Sequence, residues 1–489
     1  DLGVRYEYFP LITRDGLIKF EQYDPATNET LLGGVGGNST HLGATASKKL
    51  FSPRIGLAYR ISDKMVVRAG YGISNDSLPL ERPLRGFYPL SIGAANVVPE
   101  TDVSRWQPLA SFSDGIPLLA DPDISGGSVI APNTVDVATI APGEFKRGYV
   151  QSWNFFIERH LPGEMLLNVG YVGNHFVHMM NGRNLNPATL GGGSDSQPLY
   201  AAFQRTAGTY AFQGYLDTHY NSLQVSLNRR YSNGLFLQGA YTYSKAIGYT
   251  NDNSWQNALD FTCPPSPEMP DGCQSHNRRT LGFDRTHVLK MAYVYELPFG
   301  TGKKWGNTDK VARAILGGWQ INGVFSAWNG PPLNPAYDAS RLHTPGSQQS
   351  PDRAEGVPLD SGFPATCPQG AGPGQCWFNP LAFTPVLDDD RFGDVGRGLS
   401  WLRGPGLVQM DMSLFRNFKL TERFTLEMRL EAQNLTNSPH FYPPGNASDI
   451  NRAGNTTCTD VLGECGGTFA QITQGFGERY VQIGAKLKF

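Results

Sequence analysis

Six cysteines are the residues whose type and spacing most directly suggest chemistry. They form three near-neighbour pairs: Cys263 and Cys273, Cys367 and Cys376, and Cys458 and Cys465. None has the C-x₂-C spacing of a zinc site. Six cysteines permit 15 pairings, but proximity favours the three local disulfides, each worth roughly 2–3 kcal/mol in the chain-entropy model. Such bridges indicate an oxidising compartment; the alternative is a cytosolic protein with reduced, buried thiols.

Other candidate constellations have the wrong spacing for catalysis. The segment GTGKKWG (300–306) lacks the G-x₄-G-K-[ST] pattern of a phosphate loop and reads as a turn. Asp284 and His287 lie three residues apart in FDRTH, but no activated serine or cysteine accompanies them. A strand-start cap or an interior contact is therefore the expected role of these two residues.

The acidic segment DDDRFGD (388–394) could offer calcium the carboxylates of Asp388, Asp390 and Asp394. Phe392 occupies a ligand position of the calcium-loop pattern, however, and Leu399 stands where a glutamate belongs. A solvated loop is the favoured interpretation.

Loop tryptophans could form a ligand platform, although packing of the loops on themselves is favoured; they are Trp255, Trp377 and Trp401. The sequence thus predicts neither an enzyme nor a cofactor or metal site.

The segments that must position these residues show the alternating apolar and polar pattern of β-strands. In HYNSLQVSLNRRY (219–231), Leu223, Val225 and Leu227 share one face, and polar residues occupy the other. An SNG turn (232–234) follows, and LFLQGAYTYSKA then alternates again, which is a hairpin signal.

Twelve strands of this kind are predicted, and short turns alternate with long loops rich in Gly, Pro, Asn and Asp. Each cysteine pair falls in one long loop. The predicted strands lie near residues 1–9, 51–61, 65–74, 149–161, 165–174, 219–231, 235–246, 286–297, 318–328, 406–419, 423–435 and 477–489.

Composition limits the function classes. The net charge is −2, and without a Lys/Arg cluster this argues against a nucleic-acid partner. Charged residues are 17% and aromatic residues 11% of the chain, which suits many strands joined by loops. No run of 18 or more apolar residues predicts a spanning helix. Either an export signal has been removed or the chain begins partway through a longer protein, and we expect the second because Asp1 opens directly into a strand-like segment.

The strand pattern predicts an all-β, antiparallel transmembrane barrel across residues 1–489. The short turns and one longer connection (298–317) fall at one end and the long loops at the other, as in outer-membrane barrels. Strand lengths suit a tilted membrane strand. Aromatic residues near strand ends suit interfacial girdles; they are Tyr6, Tyr8, Tyr149, Trp153, Trp319, Trp328 and Tyr480. The alternative is a large soluble β protein with aromatic stripes in its core.

The closing segment ERYVQIGAKLKF (478–489) fits the barrel interpretation. Its apolar positions would face lipid and its lysines the interior. Tyr480 and the terminal Phe489 resemble an outer-membrane insertion signal. The predicted location is the bacterial outer membrane, with membrane lipid as a partner.

Several segments in order resemble the C-terminal part of the barrel of TonB-dependent outer-membrane receptors, specifically the Oar-like group with a carboxypeptidase-regulatory-like domain. The segments are QSWNFFIERHLPGEMLLNVGYVGNH (151–175), YNSLQVSLNRRYSNGLFLQGAYTYSKAI (220–247), FDRTHVLKMAYVYELPFGTGKKW (283–305), GWQINGVFSAWNGPPLN (318–334), MRLEAQNLTNSPHFYPPG (428–445) and the closing strand.

The resemblance implies a 22-stranded barrel around a plug, with a preceding segment that contacts the TonB complex. The present residues would supply about twelve strands and neither the plug nor the TonB-contact segment. The implied function is uptake of a scarce ligand whose identity the sequence does not reveal. The alternative is a structural or adhesive surface barrel that transports nothing.

Overall fold

A computed structural model describes the chain in segments. They are residues 1–77, 113, 122–133, 135–250, 259–267, 269–300, 302–305, 311, 315–337, 339, 342–363, 367, 375–444, 455–458 and 469–489. The statements below concern these residues.

Twelve main strands form one antiparallel sheet in which each strand pairs with its sequence neighbours in this series. They are β1 (Leu2–Glu7), β2 (Leu50–Ser62), β3 (Met65–Asn75), β4 (Tyr149–Leu161), β5 (Met165–Asn184), β6 (Thr209–Ser232), β7 (Leu235–Gly248), β8 (His287–Glu296), β9 (Trp319–Trp328), β10 (Leu407–Lys419), β11 (Thr425–Gln433) and β12 (Tyr480–Lys488). All twelve predicted strands are confirmed in number and order. Within the described residues, β1 and β12 each pair on one side only.

Short connections lie at one end of this sheet. β2 and β3 are joined by two residues, and so are β6 and β7. In the second turn Asn233 and Gly234 have φ angles of 51° and 76°. Two consecutive positive φ values are typical of a type I′ turn, whose twist matches that of the strands, and Asn-Gly is its preferred sequence. The local sequence therefore fixes the register of the β6–β7 hairpin.

Two strands are much longer than the sequence predicted. β5 runs to Asn184 and β6 begins at Thr209, so each strand extends beyond its predicted loop end. The added length of each strand is about that of a strand that crosses a membrane. The prediction stopped near residue 174 because regular alternation ends there. The structure shows the cause: a register shift between Phe176 and Met179, where His178 has a φ of 55°. The extra residue changes which face each later side chain occupies.

The long connections contain short strands and little helix. A one-turn α-helix lies at Tyr200–Phe203, residues 311, 315 and 316 are also helical, and three-residue 3₁₀ turns lie at Ser194–Ser196, Ser275–Asn277 and Pro380–Ala382. No helix in the described part of the chain has the length and apolar character needed to cross a membrane. The short strands are Phe20–Asp24, Glu29–Gly33, Ala44–Ala46, Ser128–Ile130, Val137–Thr139, Gly143–Phe145, Arg279–Thr280, Pro332–Tyr337, Asp352–Arg353, Phe383–Thr384, Leu399–Arg403, His440–Phe441, Asn455–Cys458 and Gly475–Phe476.

Most of the buried apolar side chains lie in these connections and at the loop ends of the strands. One cluster packs Phe378, Phe383 and Phe469 edge to face, with ring centroids 5.3–5.9 Å apart. A second cluster joins Phe20 and Ile140 to Met180 of β5 and Phe212 of β6. The chain therefore has a loop layer with its own hydrophobic cores above an open, two-faced sheet.

Candidate functional site

One face of the sheet is apolar and exposed. Leu57 of β2 is 58% exposed, Leu223 of β6 43% and Ile483 of β12 75%. Leu223 lies directly opposite Tyr171 and Tyr243, and Ile483 opposite Leu430, so the apolar positions form continuous rows across the strands. A water-soluble sheet would bury such rows. This face is suited to contact hydrocarbon.

Aromatic residues at the ends of this face include Tyr6, Trp153 and Trp319, as predicted. Two of the predicted girdle residues lie on the opposite face. Tyr480 is paired with Gln433, and Trp328 lies beneath the ammonium of Lys290, 5.9 Å from the ring centroid. The assignment of these two to a lipid-facing girdle was wrong, because strand alternation turns even-numbered residues of β9 and β12 inward.

The predicted insertion signal therefore has its two members at opposite ends of β12. Tyr480 lies on the polar face at the loop end, and Phe489 follows the strand at the turn end, with 89% of its surface exposed. A role in insertion stays a prediction for both residues.

The other face is polar and partly ion-paired. Arg68 Nε lies 2.9 Å from Glu158 Oε1, and Lys303 Nζ donates to Glu296 Oε2 at 2.8 Å. At the last strand, Glu427 accepts hydrogen bonds from Arg429 and Lys488. Arg68–Glu158 and Glu427–Lys488 link adjacent strands on this face, whereas Lys303 belongs to the β8–β9 connection and Arg429 to the same strand as Glu427. The face is suited to water or to a polar filling.

A groove of about 680 Å³ crosses this polar face between β7 and β12. Its lining includes two carboxylates, Asp411 and Glu431, and no cationic side chain among the described residues. Asp411 Oδ1 accepts from Gln409 Nε2 at 2.9 Å and from the backbone N–H of Asn434 at 2.8 Å. These two carboxylates were not predicted from the sequence, although their inward alternation along β10 and β11 was a usable signal.

Asp284 is a structural residue. It is 2% exposed; its Oδ1 accepts from the backbone N–H of Ala246 at 2.7 Å, and its Oδ2 accepts from Arg403 Nη2 at 2.6 Å. Arg403 belongs to the short strand Leu399–Arg403, and Ala246 lies at the end of β7. The carboxylate therefore ties the loop layer to the sheet, and His287 instead contacts the Tyr241 hydroxyl at 2.7 Å through Nδ1.

Two of the three proposed cysteine pairs form disulfides in the structure. The Sγ atoms are 2.03 Å apart in Cys263–Cys273 and 2.01 Å apart in Cys367–Cys376. The second bridge lies inside the aromatic loop cluster. Cys458 ends a short strand beside Tyr337, and Cys465 lies outside the described residues. The pairing of these last two cysteines stays a prediction.

In the acidic segment 388–394, Arg391 pairs with one carboxylate inside the segment and one outside it. Arg391 donates to both oxygens of Asp352 at 3.0 and 2.7 Å and also pairs with Asp388. These hydrogen bonds lower the pKa of Asp352 and raise that of Arg391. The backbone N–H of Arg353 binds Asp394 Oδ1 at 2.7 Å. Arg391 therefore pairs with Asp388 inside the segment, and contacts with Asp352 and Arg353 hold the segment against a distant part of the chain.

Of the loop tryptophans, Trp377 packs against Phe363 and donates from Nε1 to the Arg403 carbonyl at 2.6 Å. Trp401 is 53% exposed. Trp255 lies outside the described residues. The structure does not bring the described pair together as one ligand platform.

The profile of a family described as "Outer membrane beta barrel domain" matches residues 1–482. The chain belongs to this family. Its location is therefore the bacterial outer membrane, its apolar face contacts membrane lipid, and it is a barrel domain and not an enzyme. No curated protein matches the chain.

Solved receptors are similar to this barrel-domain chain at low identity. The ferric-catecholate import receptor Fiu of E. coli K12 is 11% identical, with 94% of this chain and 40% of that chain covered, at a TM-score of 0.36. The ferric enterobactin receptor PfeA of Pseudomonas aeruginosa is 12% identical, with 90% and 40% covered, at 0.39. The ferric preacinetobactin receptor BauA of Acinetobacter baumannii is 10% identical, with 90% and 36% covered, at 0.38. The chain spans about 40% of the length of these receptors.

Proposed function

We propose that these residues form the C-terminal part of the barrel wall of a TonB-dependent receptor of the Oar-like group, which takes up a scarce ligand across the outer membrane. In this proposal other parts of the protein supply the remaining strands of a 22-stranded barrel, the plug that gates it and the segment that contacts TonB. The ligand-binding surface is the polar face together with the loop layer.

The supporting observation is the open, two-faced sheet. β1 and β12 present unpaired edges within the described residues, and both carry exposed apolar rows. In hydrocarbon each unpaired backbone N–H or C=O costs several kcal/mol. Closure with further strands satisfies both edges at once, and a twelve-strand arc that needs partners suits a wide barrel better than a narrow one.

The test uses the protein made from its complete reading frame. Detergent-purified protein is mixed with the periplasmic C-terminal domain of TonB from the same organism, and complex formation is measured by co-purification. The proposal predicts a complex that is lost when the segment preceding the plug is deleted. Full-length protein that forms no complex, in a fold shown intact by circular dichroism, contradicts it.

The second candidate, a surface barrel that binds partners and transports nothing, is favoured by the bulk of the disulfide-braced loop layer. It predicts no TonB complex and no plug domain. A TonB complex excludes it.

A further inference from the structure

Three side chains with metal-binding groups converge on β5 and β6. His175 lies directly opposite His219 in the strand register, and Asp217 lies two residues from His219 on the same face of β6. Asp217 Oδ2 is 2.7 Å from His219 Nε2 and 3.4 Å from His175 Nε2. The three ligating atoms all lie within 4.8 Å of one another. We call this set the His–Asp–His cluster.

The cluster lies on the apolar face of the sheet, on the loop side of the row of apolar residues that contains Leu223. Toward the loops the apolar row of β6 stops at Leu223, and Asn221, His219 and Asp217 follow at alternate positions on the same face. The side chains of the cluster are 27–36% exposed. The cluster therefore lies at the rim where the two strands leave the membrane, with all three side chains partly exposed to water.

The ligand set selects one class of ion. Imidazole nitrogen and one carboxylate suit Zn²⁺, Cu²⁺, Ni²⁺ and Fe²⁺, whereas Ca²⁺ and Mg²⁺ prefer oxygen ligands alone. Ligands held about 2.0–2.2 Å from one ion lie roughly 2.9–3.5 Å from each other. The two nitrogen-to-oxygen separations of 2.7 and 3.4 Å are close to that range.

A hydrogen-bonding role leaves one atom unexplained. The 3.4 Å separation at His175 is longer than an N–H···O hydrogen bond, and the solvent-shielded Nε2 of His175 has no hydrogen-bond partner among the described residues. The imidazole rings are stacked with centroids 3.9 Å apart and planes 16° apart. Both Nε2 atoms already lie near the same Asp217 oxygen, so one ion beside this carboxylate would give both imidazoles a common partner.

We propose that His175, Asp217 and His219 bind a divalent first-row transition ion at the outer rim of the sheet. The ion would cross-link β5 and β6 immediately before the register shift between Phe176 and Met179. It would therefore brace the point from which the two long strands carry the loop layer. This site does not depend on the TonB proposal.

One neighbouring cation tunes the site without belonging to it. Arg278 Nη1 lies 4.0 Å from Asp217 Oδ2, and its guanidinium lies 5.8 Å from the Tyr249 ring centroid. Because this positive charge repels a divalent ion, Arg278→Ala should tighten binding, while removal of a ligand should weaken it.

The experiment titrates the full chain, folded in detergent, with Zn²⁺ and then Cu²⁺ by isothermal calorimetry. The wild type should bind one ion of each at this site. His175→Ala and His219→Ala should each weaken binding by more than the 10- to 100-fold that is typical of losing an outer-shell partner. The matched control is His160→Ala, which removes an exposed histidine from β4 away from the cluster.

Electron paramagnetic resonance of the Cu²⁺ form provides a second readout that a purely structural role would not change. Coupling to two imidazole nitrogens is expected in the wild type and in His160→Ala, and coupling to one in each cluster variant. The proposal is overturned if the double variant His175→Ala/His219→Ala, shown to be folded by circular dichroism, binds Zn²⁺ as tightly as the wild type, or if Ca²⁺ binds there equally well.

Discussion

Glu21 provides the sharpest test of how the loop layer is held together. It lies on the short strand Phe20–Asp24, where it pairs with Leu32, and only 4% of its surface is exposed. Its Oε1 accepts from Arg14 Nη1 at 3.3 Å, while Oε2 has no hydrogen-bond partner among the described residues. Burial raises the pKa of this carboxyl from 4.5 to about 7, and the nearby Arg14 charge offsets part of the effect.

The sign of the effect follows from proton binding. Phe20–Asp24 and Glu29–Gly33 form a hairpin. Between pH 4.5 and 7, Glu21 holds a proton in the folded hairpin and releases it in the unfolded one. The stability of the hairpin is therefore greatest at low pH and falls as the pH rises through this window. The full shift corresponds to about 3 kcal/mol. Glu21→Gln keeps the shape and removes the ionisation, and it should stabilise the hairpin at pH 8 while changing little at pH 4.

Hydrogen exchange of residues 20–33 measures this directly. After correction for intrinsic rates, protection in the wild type should fall by roughly two orders of magnitude between pH 5 and pH 8, and Glu21→Gln should remove the fall. Glu29→Gln, on the neighbouring strand of the same hairpin, is the matched control and should keep the wild-type slope. Equal protection at both pH values, or a slope that persists in Glu21→Gln, refutes the reasoning.

Three further predictions concern the sheet and its attachment to the loops. Asp284→Asn should weaken the link to Arg403 by up to about 3 kcal/mol, since it removes the carboxylate partner of a partly buried guanidinium, and exchange at the end of β7 should rise. Replacing both cysteines of Cys367–Cys376 by serine should destabilise the aromatic cluster by roughly 3 kcal/mol, seen as faster proteolysis of the loop. Val225→Arg on the apolar face should lower the free energy of folding into lipid vesicles by about 2–4 kcal/mol. Gln224→Arg on the polar face is the control and should fold as the wild type does. Equal losses in the two variants would contradict the assignment of faces.

The main strands could be predicted from the sequence because membrane strands obey local rules. Alternation with period 2 is imposed by lipid on one side and water on the other, and it is complete within a single strand. The Asn233–Gly234 turn similarly carries its own register signal. These features need no knowledge of distant residues, and for this reason all twelve strands are correct in order.

The features that the sequence did not predict depend on contacts between distant segments. The parallel pairing of Val137–Thr139 with residues 209–211, which extends β6, brings together residues about 70 positions apart. Asp284 was expected only as a cap or interior contact, and its partner Arg403 lies 119 residues away. Alternation along β9 and β12 would have placed Trp328 and Tyr480 on the polar face. They were assigned to the lipid-facing girdle because they lie near strand ends.

The position of the disulfides follows from the different ways in which the sheet and the loop layer are stabilised. The sheet is stabilised by continuous backbone pairing and by lipid on its apolar face, so it needs little internal core. The loop layer has neither, and it must fold in water with small clusters such as the one around Phe378 and Phe469. Small cores leave too little buried apolar surface to offset chain entropy without a covalent link. Both disulfides of the described residues accordingly close short segments in the loop layer, and neither involves a main strand.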